Sequence, residues 1–219
     1  MHKYIQEKIT NRIHQFGIRA AIAQIFLFLI RVLYQTDRDI VFVIPKFIGH
    51  YFHSSNIKPI TVESIQKFGK SGELNAEDVQ LQLQFLAERC RGVYVEICGK
   101  LGGYSWLQFN GIYRFGRTGQ MIIPPKHIVI KNVFVFPEFR GNKIGQQLIA
   151  ASLNLIPSGV VPVILTIPEN RFSIRNCEKF GFQRVLQIEK WCWFCGHWQM
   201  KLYRLGCDQN AHELEKSFV

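Results

Sequence analysis

The stretch that decides the fold is KNVFVFPEFRGNKIGQQL, residues 131–148. The β-branched and aromatic run from His127 to Phe136 predicts a strand that Pro137 ends. Residues at helical spacing from Ile144 to Leu155 predict a helix directly after it. A short turn between a strand and a helix leaves backbone N–H groups unpaired at the positive end of the helix dipole. The segment therefore predicts a place where an anion can bind.

The side chains of this turn favour the same ligand. Gly141 and Gly145 carry no side chain that would keep a phosphate away from the backbone, and Arg140 and Lys143 add full positive charges. A strand–turn–helix with two glycines is also common as a purely structural element. The turn alone therefore has both a functional and a structural interpretation.

A second apolar strand follows, VVPVILTI from Val160 to Ile167. A strand that is apolar on both faces is typical of a covered sheet with a parallel neighbour, so we expect an α/β layer arrangement. A helix from Arg171 to Phe180 comes next and ends at Gly181. Two further strands up to Leu205 then meet at the Gly196-His197 turn.

Three motifs stand out in these segments: V-x-P-x-x-R-G-x-x-I-G at Val135 to Gly145, N-x-x-S at Asn170 to Ser173, and E-K-F-G-F at Glu178 to Phe182. In these motifs the sequence resembles the GNAT superfamily of N-acetyltransferases. The Gly99-Lys100 turn and G-Y-S-W at residues 103–106 are similar to the family's second and third strands. The resemblance covers roughly residues 93–205, and the strand Asp39 to Ile44 would be the first strand.

The resemblance implies a mixed, mostly antiparallel central sheet with helices on both faces. Acetyl-CoA, or another acyl-CoA, would lie as co-substrate where the strand ending at Phe136 splays from the parallel strand Val160 to Ile167. Its pantetheine arm would pair with the strand at Val133, Phe134 and Val135. Its pyrophosphate would lie on the turn formed by Arg140, Gly141, Asn142, Lys143, Ile144 and Gly145. Asn170 would hold the other side of the pantetheine arm.

Two positions depart from the family pattern. Lys143 stands where the motif usually has a glycine. Its Cβ leaves less room for the pyrophosphate on the turn, and the attraction of its ammonium group for the pyrophosphate offsets that loss. Cys177 occupies the place where many relatives have a tyrosine that protonates the CoA thiolate. A thiol with a pKa near 8.5 can donate that proton, so Cys177 is the candidate catalytic residue; the other interpretation is a small buried apolar side chain.

The implied reaction is direct attack of a primary amine on the thioester, with a backbone N–H near Val135 polarising the carbonyl. Glu96, His127 and Glu138 are titratable residues near the expected cleft, and water can relay the proton instead. Residues 46–58 and 110–126 and the N-terminal helices would form the acceptor side. Its aromatic candidates are Tyr104, Trp106 and Phe109, although alternation along a strand sends some of them to the other face.

The sequence predicts one acyltransferase domain, residues 37–205, with an addition at each end. Residues 1–36 are predicted to form an N-terminal helical extension with one amphipathic helix and one largely apolar helix, interpreted either as an extra layer or as a basic membrane-surface or partner-binding arm. Residues 206–219 are predicted to form a mobile tail. The oligomeric state is left open.

Composition narrows the classes of partner and compartment. The chain has 219 residues with 27 basic and 16 acidic side chains, and 47% hydrophobic residues argue against disorder. A net charge of +11 attracts anions, but no run of four Lys or Arg exists, which does not favour nucleic acid. Six irregularly spaced cysteines, and an apolar stretch interrupted by Gln24 and Arg31, favour the cytoplasm.

Cys192, Cys195 and His197 supply residue types that bind zinc, but the second half of a tetrahedral site is missing, so we expect no metal. Two hypotheses from different classes remain. The first is an N-acetyltransferase that uses acetyl-CoA. The second is a non-catalytic acyl-CoA-binding or membrane-docking module on the same fold.

Overall fold

A computed structural model describes residues 34–45, 56–193, 197–205 and 209–219. The predicted N-terminal helices, most of the 46–58 loop and Cys195 lie outside these residues. The chain divides into a smaller unit, residues Met1–Asp37 with Glu189–Lys201, and a larger unit, Arg38–Ile188 with Leu202–Val219. In the smaller unit, Lys190 Nζ lies 3.0 Å from Asp37 Oδ2.

Ten strands and five helices are described, together with one 3₁₀ turn at Pro137–Phe139. The strands are β1 Tyr34–Val43, β2 Ile57–Pro59, β3 Arg91–Ile97, β4 Lys100–Gln108, β5 Ile112–Phe115, β6 Gly119–Ile122, β7 His127–Val135, β8 Val161–Thr166, β9 Gln183–Trp193 and β10 His197–Arg204. The helices are α1 Val62–Lys70, α2 Ala76–Ala87, α3 Ile144–Asn154, α4 Arg171–Lys179 and α5 Gln209–Glu215.

The main sheet has the strand order β10-β9-β1-β8-β7-β4-β3-β2, and every one of these strands contributes residues to the larger unit. The pair β7–β8 is parallel, whereas β1–β8, β2–β3, β3–β4 and β4–β7 are antiparallel. The predicted mixed, mostly antiparallel sheet and the parallel neighbour of the apolar strand are confirmed. Strands β5 and β6 form a separate hairpin.

Alternation along the strands gives the sheet two apolar faces that different helices cover. On one face, Val93 and Val95 pack against Ile144, Leu148 and Ala151 of α3. On the other face, residues of β3 and β4 pack against α1 and α2, in a cluster that includes Phe68, Phe85, Tyr94 and Trp106. The site-bearing strand β7 lies between these layers.

The two helices of that second layer begin at capping residues. Thr61 and Ser64 form a reciprocal capping box at the start of α1. Asn75 Oδ1 accepts the Asp78 amide at 2.8 Å at the start of α2. Since Glu77 and Asp78 lie in the first turn, the helix dipole stabilises their charges.

The C-terminal residues differ from the predicted mobile tail. Residues 209–215 form α5, with Ala211 and Leu214 fully buried. The Phe218 ring meets Phe115 edge to face at 5.7 Å, and the Val219 amide donates to the Gln120 carbonyl at 3.2 Å. The sequence prediction missed this short helix because its polar surface outweighs its few apolar positions. In the described ranges, no helix has the length and hydrophobicity needed to span a membrane.

Candidate active site

The defining feature of the site is a gap between the parallel strands β7 and β8. Their pairing runs from His127 opposite Val161 to Ile130 opposite Ile164 and then stops. Strand β7 continues to Val135 while paired only on its other side, with β4. The two strands therefore separate toward their C-terminal ends, where β7 leads through the turn into α3.

A β-bulge in β7 follows shortly after its last pair with β8. Tyr104 faces Phe134 and Trp106 faces Lys131, so Asn132 and Val133 together oppose Ser105 of β4. Asn132 adopts φ +51°, in the left-handed region that asparagine tolerates better than most residues. Because a bulge bends its strand, it turns the end of β7 away from the line of β8. The bulge is not among the features predicted from the sequence, although a polar Asn within an apolar run was its signal.

The end of β7 directs one peptide group into the gap. The Phe136 amide donates to the Gly102 carbonyl at 3.1 Å, which makes this a hydrogen-bonded pair with β4. Since such pairs alternate in antiparallel sheets, the peptide groups of Val135 point the other way, toward the open side. The Val135 carbonyl there accepts Arg140 Nε at 3.3 Å. By the same alternation, the Val135 amide points toward the open side.

The turn after β7 presents a row of unpaired amides at the start of α3. Within the described ranges, no backbone hydrogen bond uses the amides of Gly141, Asn142, Lys143, Ile144 or Gly145 as donors. The Arg140 amide differs from the expectation, because it donates to the Pro137 carbonyl at 3.3 Å. Gly141 adopts φ +88°, a conformation that favours glycine. The arrangement is that of an anion-binding helix N-terminus.

Two residues of this turn explain how the family pattern is used here. Lys143 adopts φ +58°, which accounts for the glycine that the family motif has at this position. A Cβ at Gly145 would meet Asn176 Nδ2 of α4 at 3.4 Å and Val135 Cγ2 of β7 at 3.7 Å. Gly145 therefore lies between β7 and α4, at the mouth of the gap, and any side chain there projects between these two elements.

Helices α3 and α4 are joined beside the turn by polar contacts. Gln146 Nε2 donates to Asn176 Oδ1 at 3.2 Å, and Lys179 Nζ donates to Gln146 Oε1 at 3.0 Å. Asn170 caps α4, with its Oδ1 accepting the Ser173 amide at 3.0 Å. This bond leaves the side-chain NH₂ of the exposed Asn170 as the group that faces solvent.

The structure places Cys177 in the apolar core and not in the gap. Its side chain is fully buried among residues that include Ile174 and Phe182. Burial is the main cause that raises the pKa of its thiol to about 11. A proton donor must reach the reacting sulfur, so this position corresponds to the packing role, the other interpretation that the sequence allowed.

The three titratable candidates occupy different surroundings. Glu96 accepts hydrogen bonds from Lys58 and Lys67 at 2.9 Å each, and these bonds hold the pKa of its carboxyl below the ordinary value. His127 is buried at the paired end of β7, with Nδ1 2.9 Å from the Pro125 carbonyl. Glu138 is exposed on the 3₁₀ turn that precedes the amides of Gly141 to Gly145. The structure does not bring these residues together.

The aromatic candidates separate in the same way. Trp106 is fully buried against Phe85, and Phe109 packs on the core beneath the Arg91 guanidinium, 5.1 Å from its ring centre. Tyr104 is partly exposed at the end of β7, where its ring stacks on that of Phe134. In the described part of the chain, no cluster of three or more His, Cys, Asp or Glu side chains has the geometry of a metal site.

Comparison with known proteins agrees with this architecture. A sequence model of the acetyltransferase (GNAT) family matches residues 61–182, whereas the sequence has no significant match among curated proteins. A crystal structure from Novosphingobium aromaticivorans, assigned to the GNAT family, superposes with a TM-score of 0.52 at 14% identity, over 78% of this chain and 66% of that one. At this identity the likeness concerns the fold alone.

Two further solved structures are similar at lower scores. A GCN5-related N-acetyltransferase from Kribbella flavida has a TM-score of 0.45 and 11% identity, over 84% of this chain and 65% of that one. An aminoglycoside N-acetyltransferase in complex with CoA has a TM-score of 0.40 and 19% identity, over 58% and 91%. The chain thus spans less than two thirds of the length of several of the proteins that it matches. Since the family's sequence model covers more than half of the chain, the protein belongs to the acetyltransferase (GNAT) family.

Proposed function

We propose that this protein is an acyl-CoA-dependent N-acyltransferase that moves an acetyl group from acetyl-CoA to a primary amine. The observation that carries the proposal is the row of unpaired amides from Gly141 to Gly145, next to the open edge of β7. A diphosphate fits such a helix N-terminus, and an amide-containing pantetheine arm fits an open strand edge.

The chain's own residues have separate tasks in binding. The amides of Gly141 to Gly145 bind the diphosphate, and the exposed side chains of Arg140 and Lys143 attract it with their positive charges. Val133, Phe134 and Val135 form the strand edge along which the pantetheine lies. Asn170, on the opposite side of the gap, contributes its side-chain NH₂.

The chemistry then needs orientation more than covalent help. The amine nitrogen forms a bond to the thioester carbon, the carbonyl oxygen takes negative charge, and the Val135 amide stabilises that charge. The C–S bond then breaks, the amine loses one proton, and the CoA thiolate takes up one. Because Cys177 is buried, the proton that the CoA thiolate takes up comes from water or from the nitrogen of the attacking amine.

The direct test is titration calorimetry of acetyl-CoA with the full chain and with Arg140→Glu. We expect at least a tenfold rise in Kd, because the substitution turns an attractive charge beside a diphosphate into a repulsive one. Arg114→Glu, a charge reversal at an exposed position of β5, is the matched control and should change Kd less than twofold. Equal effects of the two variants would refute the diphosphate assignment.

Release of free CoA with a panel of amines separates the two functional hypotheses. Turnover with any amine establishes the transferase. Acetyl-CoA binding without turnover by any amine supports the non-catalytic module instead. The role of the basic N-terminal segment and the cytoplasmic location remain predictions from the sequence.

A further inference from the structure

The sheet face opposite α3 carries an aromatic surface at the end of β7. Tyr104 stacks on Phe134 with ring centres 5.4 Å apart, and Phe134 meets Phe136 edge to face at 5.0 Å. Phe136 and Tyr104 pack on the α1–α2 cluster, while the Phe134 side chain remains 37% exposed. We call Tyr104, Phe134 and Phe136 the aromatic surface.

This surface lies next to the proposed reaction point. Val133 and Val135 pack against α3 on one face, so Phe134 between them projects to the other. A pantetheine arm that starts at the α3 N-terminus and passes through the gap therefore brings its thioester out beside Phe134. The group that meets the thioester from this side must contact the aromatic surface.

A carboxylate lies on the same side. Along α2, Gln82 is 3% exposed and Phe85 9% exposed, so this stripe of the helix faces the sheet. Asp78 stands one turn before Gln82 on the same stripe and is half-buried. Its negative charge acts on the Tyr104 hydroxyl and, together with the larger effect of burial, raises the pKa of Tyr104 to about 12.

Asp78 differs from Glu73 and Glu96, the other partly buried acidic residues of this layer. Glu96 is paired with two lysines, and Glu73 accepts bonds from Ser71 and from the Leu101 amide. Glu88 lies 3.9 Å from Lys131. In the parts of the chain that the structure describes, no basic side chain forms an ion pair with Asp78, although the chain carries a net charge of +11.

We propose that the acceptor is an amine on an apolar, preferably aromatic, body, with the ammonium group held by Asp78 and the body packed on Phe134 and Tyr104. Aromatic faces and a carboxylate both attract an ammonium ion, and the exposed face of Phe134 gains by burial against an apolar group. This inference rests on the proposed function and names its substrate class. Asp78 is a positioning residue that holds the ammonium form near the thioester; the nitrogen gives one proton to water before its lone pair attacks the thioester carbon, and it loses the second as the C–S bond breaks.

The test uses the full chain with acetyl-CoA and two amines that share the aminoethyl unit, 2-phenylethylamine with a phenyl group on it and ethanolamine with a hydroxyl. We expect kcat/KM for 2-phenylethylamine to exceed that for ethanolamine at least tenfold, measured by release of free CoA. Asp78→Asn should raise the KM for 2-phenylethylamine about tenfold and leave the KM for acetyl-CoA unchanged. Glu77→Gln, at the neighbouring exposed position, is the matched control and should change neither.

Phe134→Ala tests the aromatic surface separately. It should reduce the preference for 2-phenylethylamine over ethanolamine to less than threefold. If Phe134→Ala instead changes the choice between acetyl-CoA and hexanoyl-CoA without changing the choice between amines, the surface holds the acyl chain and the proposal is wrong. Equal effects of Asp78→Asn and Glu77→Gln would also overturn it, while turnover of any amine would leave the proposed function intact.

If no amine releases CoA, calorimetry of 2-phenylethylamine with the protein–CoA complex decides the question. Binding that Asp78→Asn weakens tenfold supports the inferred amine site. Absence of binding overturns it. Titration of acetyl-CoA alone shows in the same series whether the CoA site of the proposed function also fails.

Discussion

Replacing Gly103 by alanine should both destabilise the protein and impair its CoA site. A Cβ at Gly103 would lie 2.4 Å from the Phe134 carbonyl oxygen and 3.2 Å from Val135 Cα. An ordinary contact between such carbon and oxygen atoms is about 3.3–3.6 Å, so β4 and β7 must separate by about 1 Å. The obstructing atoms belong to the backbone and cannot rotate away.

Overpacking of this kind costs typically about 1–3 kcal/mol, and we expect about 2 kcal/mol here. For a chain of this size that lowers Tm by about 4–8 °C. The same displacement moves the end of β7 that borders the gap, and we expect at least a tenfold loss in the rate of acetyl transfer. Thermal unfolding, and release of CoA with a saturating amine, measure the two effects.

Gly102→Ala is the matched control for this prediction. Its Cβ would meet Ile97 Cδ1 at 3.1 Å and the Val95 carbonyl oxygen at 3.3 Å, contacts that small adjustments relieve. We expect a loss below about 1 kcal/mol and near-normal activity. If both alanine variants unfold at the same temperature and turn over equally, the close approach of β4 to β7 has no role in holding the site.

Three further predictions concern other parts of the larger unit. Because burial raises the pKa of the Cys177 thiol from 9.0 to about 11, the native state keeps a proton that the unfolded chain loses; the free energy of unfolding should therefore fall by about 2 kcal/mol between pH 9 and pH 11. Cys177→Ala should lack this decline in alkaline unfolding curves while keeping transferase activity within threefold, and a larger loss of activity would restore a catalytic role. Lys143→Gly should raise the free energy of unfolding by about 1 kcal/mol, because Lys143 adopts φ +58°, and an unchanged urea midpoint would show that the turn stores no such strain. Lys131 is buried, with Nζ 3.0 Å from Gln108 Oε1 and 3.8 Å from the centre of the Phe85 ring. Lys131→Met should change the free energy of unfolding by less than about 1 kcal/mol, whereas Gln108→Ala should lower it by about 2 kcal/mol or more, because it leaves a buried charge without its hydrogen-bond acceptor. The reverse order of the two variants in thermal unfolding would contradict this prediction.

Much of the frame of the site was predictable from the sequence. The apolar runs of β7 and β8 are long and are ended by Pro137 and by the polar residues after Ile167. Such runs predict strands because β-branched and aromatic residues favour extended backbone in a covered sheet. The turn between β7 and α3 was predictable for the same reason, since its glycines stand between two strong periodic patterns.

The details that open the gap were not predictable in this way. The bulge at Asn132 depends on the register between β4 and β7, which links residues far apart in the chain. Which aromatic residues face the gap also depends on that register, because a one-residue slip exchanges the two faces of a strand. The sequence therefore identified Tyr104 but not its partners Phe134 and Phe136 as an aromatic surface.

Burial is a second property that single residues do not reveal. Cys177 occupies a position in α4 at which the sequence allowed either a catalytic thiol or a core side chain. The packing of α4 on β1 and β8, through residues such as Phe42 and Ile164, places it in the core. Only the tertiary structure distinguishes the two.

The central claim, that the amides from Gly141 to Gly145 hold the diphosphate of acyl-CoA, is tested most directly by amide hydrogen exchange. The full chain is compared with saturating CoA and with saturating pantetheine, which lacks the diphosphate. We expect at least tenfold slower exchange of these amides with CoA and little change with pantetheine, whereas the Val135 amide should be protected by both. Unchanged exchange at residues 141–145 with bound CoA would contradict the claim.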